Sequence, residues 1–113
     1  MEDESLVVFI TAPSEEIAEK IADLLVKQKL AACVNLWSPI YSVYSWEGKV
    51  CKDEEVLMLV KTRASLFEDR LIPAVKSIHP YQLPEIIGLP IRMGLPGYLE
   101  WILQSTQPVS DHS

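Results

Sequence analysis

The sequence predicts an α+β fold in which helices cover one face of an antiparallel sheet. Three observations carry that expectation. Leu6-Val7-Val8-Phe9-Ile10 is a continuous, β-branched-rich run with the length of a strand buried on both faces. Two stretches, 15–29 and 62–78, repeat apolar residues at helical spacing. Between them runs a long aromatic and β-branched segment that doubles back at Glu47-Gly48.

After the first strand, Thr11-Ala12-Pro13-Ser14 breaks the run, and Ser14 is placed to cap a helix. Glu15 and Glu16 in its first turn have the favourable sign for the helix dipole, and Lys27 and Lys29 sit near its end. Ile17, Ile21, Leu24 and Leu25 make one apolar stripe. Leu30 to Trp46 then reads as one strand, kinked at Pro39 because proline belongs at a strand edge or bulge. Gly48 supplies a positive φ for the turn, and Lys49 to Lys61 returns. Thr62 to Ile78 carries Leu66, Phe67, Leu71, Val75 and Ile78, interrupted by Pro73, so a kink or two short helices are expected. Glu85 to Ile91 is the fourth strand, and Tyr98, Leu99, Trp101 and Ile102 form a short helix on a sheet edge or a neighbour. The order β-α-β-β-α-β plus a terminal helix is the ferredoxin-like arrangement. Residues 1–106 are expected to form one domain, and 107–113, with His112, a polar disordered tail.

A chain of 113 residues with 49% apolar content buries a real core and leaves apolar surface for another subunit to cover. The hairpin points the same way. About 17 residues from Leu30 to Trp46, at ~3.3 Å each, would reach ~55 Å, against a globule roughly 35 Å across. Part of it must project, exposing strand edges and Trp37, Tyr41, Tyr44 and Trp46, so an obligate oligomer is expected.

The net charge of -6 with no basic cluster argues against nucleic acid, and suits cations or plain solubility. No apolar stretch approaches the roughly 20 residues of a membrane span, and the acidic start is unlike a secretory signal. Cys33 and Cys51 make neither a disulfide framework nor a CxxC pair, which fits a reducing, cytoplasmic setting. With a two-residue turn at Glu47-Gly48, Cys51 faces Tyr44 and Cys33 faces Thr62, ~36 Å apart along the strand.

The stretch Ile78-His79-Pro80-Tyr81-Gln82-Leu83-Pro84-Glu85 holds one of two histidines between prolines that fix the backbone. It reads as a rigid connector into the last strand, or as a device for holding His79, Tyr81 and Glu85 in place. Lys61 is either a recessed amine or a lysine snorkelling from a strand end. Asp53-Glu54-Glu55 is either a hard-cation attractant or a solvated patch. No nucleophile elbow, phosphate loop or HExxH motif is present, so catalysis is not indicated.

Several segments together resemble the CutA divalent-ion tolerance family: Thr11-Ala12-Pro13, Lys29 to Asn35, Tyr44 to Lys49, Leu59-Val60-Lys61-Thr62, His79 to Ile86 and Tyr98-Leu99-Glu100-Trp101. They cover roughly positions 6 to 106, in family order. The resemblance implies a stable homotrimer of ferredoxin-like subunits whose hairpins pair across subunits, an architecture shared with PII-type signalling proteins. It also implies tolerance of, and binding to, divalent cations, copper above all. The family's copper site draws on a cysteine before Thr-Ala-Pro and two histidines before Pro-Tyr. Here Ile10 and Ile78 stand at two of those positions, leaving His79. Isoleucine has no donor atom. The expected metal ligands are therefore His79, with Glu85 and Cys33, for copper or zinc. A second expectation is small-molecule binding at inter-subunit clefts lined by Trp46, Lys61, Tyr81 and Glu85. A third is an assembly partner with no ligand.

Overall fold

The computed structural model describes residues 3–106. Four strands, β1 (Ser5–Ala12), β2 (Cys33–Trp46), β3 (Lys49–Arg63) and β4 (Ile86–Pro90), form one antiparallel sheet in the order β2-β3-β1-β4. β1 and β3 are the two interior strands. On one face of β1, Val8, Ile10 and Ala12 are fully enclosed; on the other, Val7 and Phe9 are only half-buried, so the expected burial on both faces is met on one alone.

Helix α1 (Glu15–Lys27) begins as expected, with the Ser14 side chain accepting a hydrogen bond from Ile17 N at 3.2 Å. Ala18, Ile21 and Leu25 lock its stripe into the core. Its end follows a Schellman pattern. Leu30 N donates to Leu25 O at 2.8 Å and Lys29 N to Val26 O at 3.1 Å, with Lys29 held at φ 60°. Residues 30 and 31 thus finish the helix, so β2 starts at Cys33 rather than Leu30. Ala32 N still reaches across to Lys61 O at 2.8 Å, and Thr62 Oγ1 donates to Leu30 O at 2.7 Å.

The hairpin turns at Glu47-Gly48 as expected, but both residues take positive φ, 52° and 79°. This is the twist-matched geometry of a two-residue hairpin loop. Tyr44 faces Cys51 as expected. Cys33 faces Lys61 rather than Thr62, because β2 carries a bulge between Trp37 and Ile40, where Pro39 has no N–H for the ladder. The hairpin makes the molecule long. Its principal extents are 46 × 32 × 25 Å, and Tyr41, Val43 and Val50 stand exposed along it.

Beyond β3 the chain does not form one kinked α-helix. A 3-10 turn (Ala64–Leu66) leads into a π-helical turn (Phe67–Leu71) and then α2 (Ile72–Lys76), where Pro73 sits in the first turn and lacks no partner. Leu66, Leu71 and Val75 are buried. Helix α3 (Pro96–Ser105) starts two residues before Tyr98, since proline suits the first helical position. It packs Ile102 into the protein. It is also tied to β3 by Arg63, which donates to Leu103 O and, at 3.1 Å, to Thr106 Oγ1. The tail at 107–113, including His112, lies outside the described residues.

Candidate functional site

His79 closes α2 and is buried, and both ring nitrogens are engaged. Its N–H accompanies the helix end, donating to Val75 O at 2.9 Å. Nε2 lies 2.8 Å from Thr11 O, and Nδ1 lies 3.2 Å from Tyr81 N. A carbonyl can only accept and an amide can only donate, so these partners fit the neutral tautomer with hydrogen on Nε2. His79 therefore pins the 79–85 turn to β1. Ligation of a metal through either nitrogen requires displacing one of these bonds.

The turn delivers Tyr81 to the hairpin. Its ring sits 4.8 Å from the His79 ring, tilted by 51°, and its hydroxyl donates to Glu55 Oε2 at 2.8 Å. Glu55, expected in a solvated patch, is instead buried at 8% exposure. A second phenol–carboxylate pair lies further out, with Tyr44 donating to Asp53. These contacts hold both phenols protonated. The Asp53 hydrogen bond, aided by partial burial, pushes Tyr44 up to about 12. Burial, then the Glu55 hydrogen bond, raises Tyr81 well above the usual phenol range.

A phenol whose folded pKa is raised contributes stability that is complete below the unfolded value, about 10, and is lost as pH rises through the folded value. Urea melts between about pH 8 and pH 12 should therefore show an alkaline decline that is shallower in Tyr81→Phe. Parallel declines in the two proteins would overturn this assignment.

Between the outer hairpin and the turn lies a groove of about 630 Å³, lined among others by Tyr44, Trp46, Glu55, Tyr81 and Glu85. Three of the four cleft residues expected from the sequence thus come together within one chain. Lys61 does not join them. It pairs with Cys33 near the opposite end of the hairpin and donates to Asn35 Oδ1. Cys33 is half-buried there, with Sγ 4.0 Å from Asn35 Oδ1, and Tyr98 of α3 beside it. His79, Glu85 and Cys33 are not gathered into one shell. Among the described residues no three His, Cys, Asp or Glu side chains are placed to hold a metal ion together. Sequence reasoning missed the partners Asp53 and Glu55, although the Tyr44–Cys51 pairing already put Asp53 on the diagonal from Tyr44.

Comparison with known proteins settles the family. A family model described as CutA1 divalent ion tolerance protein matches residues 6–105. The chain belongs to the CutA1 divalent ion tolerance family. Among its CutA relatives, the mouse protein CutA is 48% identical over 103 residues, covering 91% of this chain and 58% of that protein. The chain thus spans little more than half of that curated relative. The divalent-cation tolerance protein CutA of Thermus thermophilus is 49% identical over 100 residues, covering 88% of this chain and 96% of that one. The crystal structure of CutA1 from Oryza sativa superposes with a TM-score of 0.88 at 48% identity, covering 92% and 94% of the two chains. The CutA1 family is named for ion tolerance, and one rice relative is named chloroplastic. No helix among the described residues is long and apolar enough to cross a membrane.

Proposed function

We propose that the protein is a divalent-cation tolerance protein that works as a homotrimer of ferredoxin-like subunits and binds copper or zinc without catalysing a reaction. The match of the CutA1 model across residues 6–105 carries this reading. The trimer is supported by apolar surface that a single chain leaves open: Trp37 is 64% exposed, Ile87 50% and Leu89 46%. Among the described residues the outer edges of β2 and β4 pair with no other strand, which adds to it. Because one chain does not assemble a metal shell among the described residues, the ion would take donors from more than one subunit. Glu85 is the exposed donor, and His79 would join once released from Thr11. Two free thiols support a reducing, cytoplasmic location.

Calorimetric titration of copper and of zinc into the intact oligomer, sized by light scattering, tests this. Saturable binding to a trimer, weakened at least tenfold in Glu85→Ala, is expected. A monomer, or equal binding by the variant, would sink it.

A second reading, a small-molecule site resembling those of PII-type proteins, is favoured by one observation. The groove against Tyr81 is large and partly apolar, which a metal ion does not require.

A further inference from the structure

Within one chain and among the described residues, the groove between the hairpin and the 79–85 turn is walled by rings and carboxylates and by no base. Tyr44, Trp46 and Tyr81 supply three aromatic faces and Glu55 and Glu85 two carboxylates, while none of the ten lining residues is Lys, Arg or His. Its volume, about 630 Å³, lies in the ~300–1,000 Å³ range of sites for small organic molecules.

The hydrogen bonds inside the wall set its polarity. Tyr81 donates to Glu55 and Tyr44 to Asp53, so each phenol spends its proton on a carboxylate and has none left to offer a ligand. Donation to an anion also pushes electron density into the ring, deepening the negative face that attracts cations. Glu55 is buried, yet the group it accepts from is a neutral phenol. That bond solvates the carboxylate without cancelling its charge. The wall therefore presents negative charge and negative π-faces together.

Charge density then selects the class of cation. A hard divalent ion takes six or more oxygen ligands, or keeps its own waters. The groove instead offers Val43, Pro80 and Leu83 as apolar lining, and the described residues form no cluster of three metal-ligating side chains. Apolar walls favour a cation that is weakly hydrated and carries hydrocarbon of its own. We propose that this groove binds an organic ammonium ion with an apolar body, its cationic head held by the faces of Trp46, Tyr44 and Tyr81 beside Glu55 and Glu85. This rests on the small-molecule reading of the groove and shares Glu85 with the metal reading, so copper or zinc held at Glu85 would compete with the ammonium ion.

The test is calorimetric titration of benzyltrimethylammonium chloride into the intact oligomer, followed also by tryptophan fluorescence, with sodium benzoate and magnesium chloride as matched probes. Saturable binding of the ammonium at one site per chain is expected, with no binding of benzoate and no competition from magnesium. Glu85→Gln, at an exposed position, and Trp46→Leu should each weaken it at least tenfold. Glu55→Gln should do so too, and the two exposed-site variants keep the test decisive should that buried change impair folding. Benzoate binding without ammonium binding would overturn the choice of ligand while leaving a small-molecule site. If neither organic ion binds, the proposal fails together with the small-molecule reading. Ammonium binding that is unchanged in Glu85→Gln and Trp46→Leu would overturn the location.

Discussion

Replacing Arg63 with alanine is expected to destabilise the protein by about 2–4 kcal/mol, the range for removing one partner from a largely buried ionic network. The Arg63 side chain is only 12% exposed, and its guanidinium holds three groups at once. It meets Asp3 Oδ2 at 3.2 Å and Thr106 Oγ1 at 3.1 Å, and donates to the Leu103 carbonyl. It thus fastens helix α3 and the entry to β1 to the end of β3. Lysine at this position should recover little, because an ammonium cannot match the planar fork.

The same change should blunt the acid dependence of stability. Burial alone would raise the Asp3 pKa, but hydrogen bonds from Ser65, at 3.0 Å from the backbone and 2.6 Å from the hydroxyl, together with Arg63 outweigh it. The Asp3 carboxyl therefore sits below its usual value. A depressed carboxylate stabilises above its unfolded pKa, and that contribution disappears as pH falls through the folded value. Urea melts at about pH 7 and pH 3 should show a smaller drop for Arg63→Ala than for the parent. A neutral-pH loss below about 0.5 kcal/mol would contradict the clamp, since that is the size of an ordinary surface change.

The second large effect is expected at His79. His79→Ala removes the donor to the buried Thr11 carbonyl and the acceptor for Tyr81 N, and each stranded group costs about 1–3 kcal/mol. A loss of about 2–4 kcal/mol is therefore predicted. His79→Gln can still reach Thr11 as a donor, and should recover part of it. The variant should also loosen the Tyr81–Glu55 contact, seen as changed fluorescence from Trp46 across the groove. Unchanged melts and unchanged emission would show that the turn is held by its prolines alone.

The strands and first helix were legible because their signals are local. The β1 run, the Ser14 cap and the Glu47-Gly48 turn need only a few neighbouring residues to be read. What escaped depended on contacts distant in sequence. Leu30 and Ala31 look like strand residues, yet both donate to Leu25 O to complete the helix end. The segment 64–76 keeps its apolar stripe while changing helical type twice, since burial of Leu66, Leu71 and Val75 matters more than the hydrogen-bond register. The stretch around His79 stands out in the sequence through the prolines at 80 and 84. Its role as an anchor on Thr11 depends on a partner 68 residues away, which no local pattern reveals. Glu55 sits among acidic neighbours that are solvated, and only the arrival of Tyr81 distinguishes it.

The bulge at Trp37–Ile40 has a wider consequence. On the near side of it Cys33 pairs with Lys61, and on the far side Tyr44 pairs with Cys51, so β2 gains one residue relative to β3. Side chains alternate along a strand, so that single residue inverts the phase of everything beyond it. Odd-numbered residues of β3 share a face with Cys33, Asn35 and Trp37 on one side of the bulge. On the other side they share it with Ser42, Tyr44 and Trp46. The two halves of the hairpin are in effect separate alphabets, joined by a one-letter frameshift. Removing the extra residue there would make β2 regular while leaving Tyr44 opposite Cys51 and Trp46 opposite Lys49, so the groove wall should survive a deletion that the alternation of the β2 sequence alone would forbid.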